Sequence, residues 1–173
     1  FEMFRYMTDE PPREATAWFS DGSVANPRGV EFEDRAGAVR LTTNSGVRFY
    51  MEASADQGHG VNVIYSGHHG QLVVDELAGK MYLSVREEQH RSLPTTRYGM
   101  PWVETVLEIQ PAESLDPSKA VLDALVSDRC SPSGQEGRLA VETLVASYVS
   151  HENGHKSVSI DGDLPWDRVF PWA

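Results

Sequence analysis

The 173-residue sequence predicts an α+β fold, an open mixed, largely antiparallel sheet with helices packed on one face. Three observations carry this. Short segments rich in β-branched and aromatic residues follow one another through the first two thirds of the chain. The turns between them are too short to hold a crossover helix, which favours antiparallel neighbours. Two helical segments then come together near the C-terminal end, and a last short strand follows them.

Phe1, Phe4 and Met7 sit at helical spacing with Met3 beside them, so the chain opens inside a helix. Pro11-Pro12 ends it. Arg13 to Phe19 alternates Glu14, Thr16 and Trp18 with Ala15, Ala17 and Phe19, a strand pattern. Ser20-Asp21-Gly22-Ser23 and Asn26-Pro27-Arg28-Gly29 are rich in turn formers. Ala36 to Thr43 and Val47 to Ala53 are two further strands, with Asn44-Ser45-Gly46 as a hairpin loop. Val61 to Ser66 is the next strand. Gly67-His68-His69-Gly70 turns it into Gln71 to Asp75, and Leu77-Ala78-Gly79 leads to Met81 to Val85. Glu87 to Pro111 reads as a long loop with a short strand at Val103 to Ile109.

Asp116-Pro117 is read as the start of a second helix, aspartate as N-cap and proline at the first position. Its apolar face is Val121, Leu122, Leu125 and Val126. Ser133 caps the closing helix, with Glu136 three residues on to complete a capping box. Val141, Leu144, Val145 and Tyr148 make one buried face. Gly154 is placed to leave the helix in a left-handed conformation, and a short last strand follows in the string that ends at Ile160. Helices on one face leave the other sheet face to water or to a partner. Trp18, Phe49, Tyr50 and Tyr65 lie on alternating strands, so some of them point outward, and a homo-oligomer through the open face is expected.

Fifteen basic against twenty-six acidic residues give a net charge of −11, which argues against a general nucleic-acid or anionic-membrane surface. Cys130 is the only cysteine and has no partner for an internal disulfide, so a reducing, cytoplasmic location is expected. Apolar runs such as Leu72-Val73-Val74 are far too short to span a bilayer as a helix, and no signal peptide is visible. The helix already under way at Phe1 suggests a piece of a longer protein.

Four strings in order carry a family resemblance. The closing helix and strand, Ser133 to Ile160, is one. Val63-Ile64-Tyr65-Ser66-Gly67-His68-His69-Gly70-Gln71-Leu72-Val73 is another, a strand, a Gly-x-x-Gly turn and a strand. The third is the hairpin Asp34 to Gly46, and the fourth is the tail Leu164-Pro165-Trp166-Asp167-Arg168-Val169-Phe170-Pro171-Trp172-Ala173. Together they resemble the C-terminal domain of the Gfo/Idh/MocA oxidoreductases, and the resemblance runs along nearly the whole chain. It implies that residues 1–173 are a single substrate and oligomerisation domain, and that the parent uses NAD or NADP on a sugar- or polyol-like substrate. The family's dinucleotide-binding Rossmann domain is absent here, since no Gly-x-Gly-x-x-Gly follows a strand, and so is its Glu-Lys-Pro motif. This chain is therefore expected to hold no cofactor and to be inactive alone.

The resemblance also places site residues. Phe1 to Met7 is similar to the family helix that follows the acid/base histidine, with Glu2 on an acidic position, so that histidine would lie before Phe1. Glu2 is then a substrate contact; the plain alternative is a helix-surface carboxylate. His59, in Gln57-Gly58-His59-Gly60, stands where relatives often carry a tyrosine near the substrate; the plain alternative is a loop histidine. No catalytic residue is assigned within the chain. His68-His69 reads as a turn, because adjacent histidines diverge and lack a third ligand at metal spacing. His151 and His155 read as cations at a helix C-terminus. No Gly-x-Ser-x-Gly elbow supports a serine hydrolase. A free-standing binding or assembly subunit on the same fold is the competing function.

Overall fold

A computed structural model describes residues 1–25, 29–54, 62–94, 101–110, 115–128 and 133–170. The α+β class holds, and every strand pairing described is antiparallel. The strands form two four-stranded sheets. Each sheet belongs to its own compact unit, residues 1–57 with 130–173, and residues 58–129.

The first unit contains α1 (Glu2–Thr8), β1 (Glu14–Ala25), β2 (Glu33–Thr42) and β3 (Arg48–Ala53). Its closing helix and last strand run over Gly134–Glu152 and Val158–Ser159. The sheet order is β3, β2, β1, then the last strand. Register fixes what each face carries. Ala15 lies opposite Leu41 and Ala17 opposite Val39, and Phe49 lies opposite Leu41 on the far side, so these five share a face. All but Phe49 are buried, and Phe49 packs against that core. Phe4 of α1 meets Phe49 with ring centroids 5.2 Å apart, and Ser150 of the closing helix accepts the Ala17 backbone N–H. Both helices therefore cover the same face. The opposite face presents Trp18 and Tyr50, 46% and 66% exposed.

One boundary and one buried face differ from the sequence reading. Ser20 to Ser23 does not end β1. The strand runs on to Ala25 through a register shift between Phe19 and Ser23. Turn-forming residues are accommodated as a bulge, which re-aims a strand without breaking it. The closing helix keeps its capping box at Ser133 and Glu136. Its buried surface, however, is wider than one face. Thr143, Ala146, Ser147 and Ser150 are buried as well as Val145 and Tyr148, whereas Val141 is 48% exposed. Thr143 and Ser147 donate to the carbonyls of Leu139 and Thr143, both at 2.8 Å. Their hydroxyls are thus satisfied within the helix, and small side chains let the helix sit close on Ala15 and Ala17. Gly154 is left-handed at φ 70, and the His155 N–H reaches back to the Ser150 carbonyl at 2.8 Å. That is the long bond of a Schellman stop.

The second unit is the meander β4 (Asn62–Gly67), β5 (Gly70–Asp75), β6 (Lys80–Arg86) and β7 (Trp102–Glu108). It also holds a 3-10 turn at Glu88–His90 and α2 (Asp116–Val126). In chain order the closing helix is α3 and the last strand is β8. The N-cap of α2 is Leu115, without a side-chain cap bond, so Asp116 is the first helical residue, an acidic group in the first turn. Its apolar residues Val121, Leu122, Leu125 and Val126 are all more than half exposed. No helix among the described residues is long and apolar enough to cross a membrane.

Candidate functional site

Glu2 stands in the first turn of α1, and α1 is held on the sheet by its apolar side. Phe4 is buried, and Phe1 also meets Phe49, edge to face at 6.5 Å. This turns Glu2 to the rim, where its side chain keeps 41% of its exposure. Arg5, one turn on, takes it. Nε lies 3.1 Å from each Glu2 oxygen, and Nη2 lies 2.5 Å from Oε1. The same Nη2 lies 2.6 Å from Glu136 Oε1 in the first turn of α3. One guanidinium thus joins the first turns of two helices through two carboxylates.

The charges are tuned accordingly. The hydrogen bond to Glu2 is the main cause that raises Arg5 above its usual value, with both carboxylates adding to it. Glu136 is held below the usual carboxylate range, first by the Ser133 backbone N–H and then by the Ser133 hydroxyl and Arg5. One cation against two anions leaves a net negative charge at this rim. Such a site suits donors, either hydroxyls or a cation, better than a second anion.

Of the residues expected at a substrate site, Glu2 lies within this cluster. His59 falls outside the described residues, as does Cys130. His68 and His69 sit on the β4–β5 turn with rings nearly perpendicular and centroids 6.5 Å apart. Among the described residues no group of three or more His, Cys, Asp or Glu side chains converges on one point. Sequence reasoning does not single out Arg5 or Glu136 as a site residue. Glu136 reads only as a capping group, and a lone arginine in an apolar helix gives no pattern to find.

His151 and His155 have a further role beyond the helix end, as both bond to the backbone of β1. His151 Nδ1 accepts the Phe19 backbone N–H at 3.1 Å, and His155 Nδ1 lies 3.0 Å from the Ala17 carbonyl oxygen. Both fill backbone positions along the edge of β1 where β8, only two residues long, gives out.

No protein-family model matches this sequence, and no curated protein matches it. Solved structures do. The chain is similar to the aldose-aldose oxidoreductase of Caulobacter crescentus complexed with glycerol, at TM-score 0.62 and 20% identity, over 91% of this chain and 44% of that one. It is similar to the WlbA dehydrogenase of Bordetella pertussis in complex with NADH and UDP-GlcNAcA, at TM-score 0.54 and 17% identity, over 94% and 42%. It is also similar to the super-repressor mutant of Gal80p from Saccharomyces cerevisiae, at TM-score 0.57 and 9% identity, over 92% and 47%. The chain spans less than half the length of each. These neighbours are of the Gfo/Idh/MocA type, and the fold the sequence resemblance implies, that of their C-terminal domain, is the fold of this chain.

Proposed function

We propose that residues 1–173 act as the C-terminal substrate and oligomerisation domain of an NAD(P)-dependent oxidoreductase. The reaction is hydride transfer between the nicotinamide and a secondary alcohol, or its carbonyl, on a sugar- or polyol-like substrate. A Rossmann domain in cis supplies the cofactor site, and the acid/base histidine lies just before Phe1. The single observation that carries this reading is that most of this chain overlaps under half of each of two oxidoreductases, one solved with glycerol and one with NADH and a nucleotide sugar. Glu2 and His59 are the proposed substrate contacts. The donor-seeking charge of the Glu2–Arg5–Glu136 cluster supports a hydroxyl-rich ligand. A homo-oligomer through the open sheet face is part of the proposal. Its support is the exposed Trp18 and Tyr50 on the face opposite α1 and α3.

The test is an assay of the chain extended by its own upstream coding sequence. Nicotinamide absorbance is followed with a panel of sugars, polyols and their oxidised forms. Turnover on a member of the panel is expected. An extension that carries no nucleotide-binding domain, or one that binds NAD(P)H but reduces and oxidises none of the panel, contradicts the proposal. A second reading has one observation behind it, the shared fold with a protein solved as a super-repressor mutant. A non-catalytic binding or assembly subunit would bind a partner or ligand without turnover.

A further inference from the structure

Three consecutive contacts clasp β1 to the end of α3. Ser150 Oγ accepts the Ala17 N–H at 3.0 Å, His155 Nδ1 meets the Ala17 carbonyl at 3.0 Å, and His151 Nδ1 accepts the Phe19 N–H at 3.1 Å. The backbone fixes both tautomers. An N–H pointing at His151 Nδ1 requires a lone pair there, so that ring is neutral with its proton on Nε2. A carbonyl has no proton to give, so His155 Nδ1 carries one. The two histidines therefore answer acid in opposite ways. A proton added to His155 goes to Nε2 and leaves the bond to Ala17 in place. Trp18, stacked on His155 at 5.6 Å, accepts the resulting cation over its face. A proton added to His151 can only go to Nδ1, where it faces the Phe19 N–H and replaces an acceptor with a second donor.

We propose that this clasp is a protonation-sensitive joint, in which a proton on His151 opens the edge of β1 at Phe19 while a proton on His155 leaves it closed. The surrounding charges bear on it from each side. A charged His155 stands 5.4 Å from His151, ring to ring, and opposes a second cation there. Glu152, on the same helix, favours one, but Arg168 of the C-terminal tail holds that carboxylate with two hydrogen bonds, and Arg35 of β2 also acts on it. β1 meets the pair with Trp18 and Phe19. Phe19 is also in contact with Tyr148 at 4.7 Å, so opening at Phe19 loosens the aromatic cluster that ends in Phe170.

The unfolded chain accepts a proton at residue 151 without losing this bond. The folded state therefore loses stability as pH falls below the ~6.5 at which a free imidazole takes up a proton. The test has two parts on the 173-residue chain. Long-range proton–nitrogen correlation spectra at neutral pH are expected to show His151 protonated on Nε2 and His155 on Nδ1. Thermal midpoints are then compared between about pH 7.5 and about pH 5.5, either side of that ~6.5. His151→Asn keeps an oxygen acceptor that takes no proton. The wild-type midpoint is expected to fall by about 2–4 °C more than that of His151→Asn, the worth of one hydrogen bond at this size. His155→Asn keeps the His151 bond to Phe19, so its midpoint is still expected to fall more than that of His151→Asn. Parallel profiles for wild type and His151→Asn, or a proton on His151 Nδ1 at neutral pH, overturns the proposal. Should His151→Asn fail to fold, the tautomers of the wild type decide.

Discussion

Arg5 answers to two carboxylates on two helices, so its loss is felt at both. Replacing Arg5 with methionine leaves Glu2 and Glu136 facing each other without a cation. The expected outcome is a lower thermal midpoint, with the loss shrinking as salt is added, because these side chains are partly exposed and screened. Thermal scans in low and high salt check it. Glu136 adds a pH dependence with a definite sign. Its carboxyl is held below the usual carboxylate range, so its stabilising contribution is complete above that range and is lost as pH falls through and below it. The midpoints of wild type and Glu136→Gln should therefore differ at neutral pH and converge in acid. A gap of constant size would show that the charge is not what Ser133 and Arg5 hold. At the proposed substrate end, His59→Ala in the extended enzyme is expected to lower kcat/KM by about one to two powers of ten, the ~1–3 kcal/mol of one polar contact. An unchanged kcat/KM would make His59 a loop histidine.

Among the elements, the ends of α3 are the most legible in the sequence, and its sides the least. Ser133, Glu136 and Gly154 act through local chemistry that the sequence displays directly: a hydroxyl three residues before a carboxylate, and a residue without Cβ where φ is positive. Ser133→Ala should accordingly cost about 1 kcal/mol, seen as a fall of ~2–4 °C in midpoint. The buried stripe of Thr143, Ser147 and Ser150 is not legible, because hydroxyl residues read as exposed until their bonds are known. Ser150 bonds to β1 across 133 residues of sequence, a partner no local pattern names. Ser150→Ala leaves the Ala17 N–H buried without its acceptor, and about 1–3 kcal/mol is expected to be lost. Ser147→Ala removes a hydroxyl that only bonds its own helix, so the loss should be clearly smaller, and chemical denaturation of the two variants side by side checks the contrast. The bulge in β1 is hidden for a related reason, since Ser20-Asp21-Gly22-Ser23 has the composition of a turn. Only pairing with β2 shows that the strand continues. Glu2 is placed by resemblance alone, while its partners Arg5 and Glu136 become visible only when α1 and α3 are brought together.

For the whole molecule, the class of the fold is legible because strand alternation and short turns persist along most of the chain. The division into two four-stranded sheets is not, since no linker-like composition marks it. A sheet face on which Trp18 and Tyr50 are exposed predicts self-association. Sedimentation across working concentrations should find a species heavier than the 19.2 kDa chain, and a strict monomer would count against the proposed interface. The central claim is that this fold supplies the substrate half of a redox enzyme and leaves the nucleotide half to another domain. The most direct measurement is a calorimetric titration of NADH and NADPH into the 173-residue chain and into the chain extended upstream. Heat of binding is predicted for the extended protein alone. Binding at micromolar strength by the 173 residues themselves, or none by the extended protein, would contradict it.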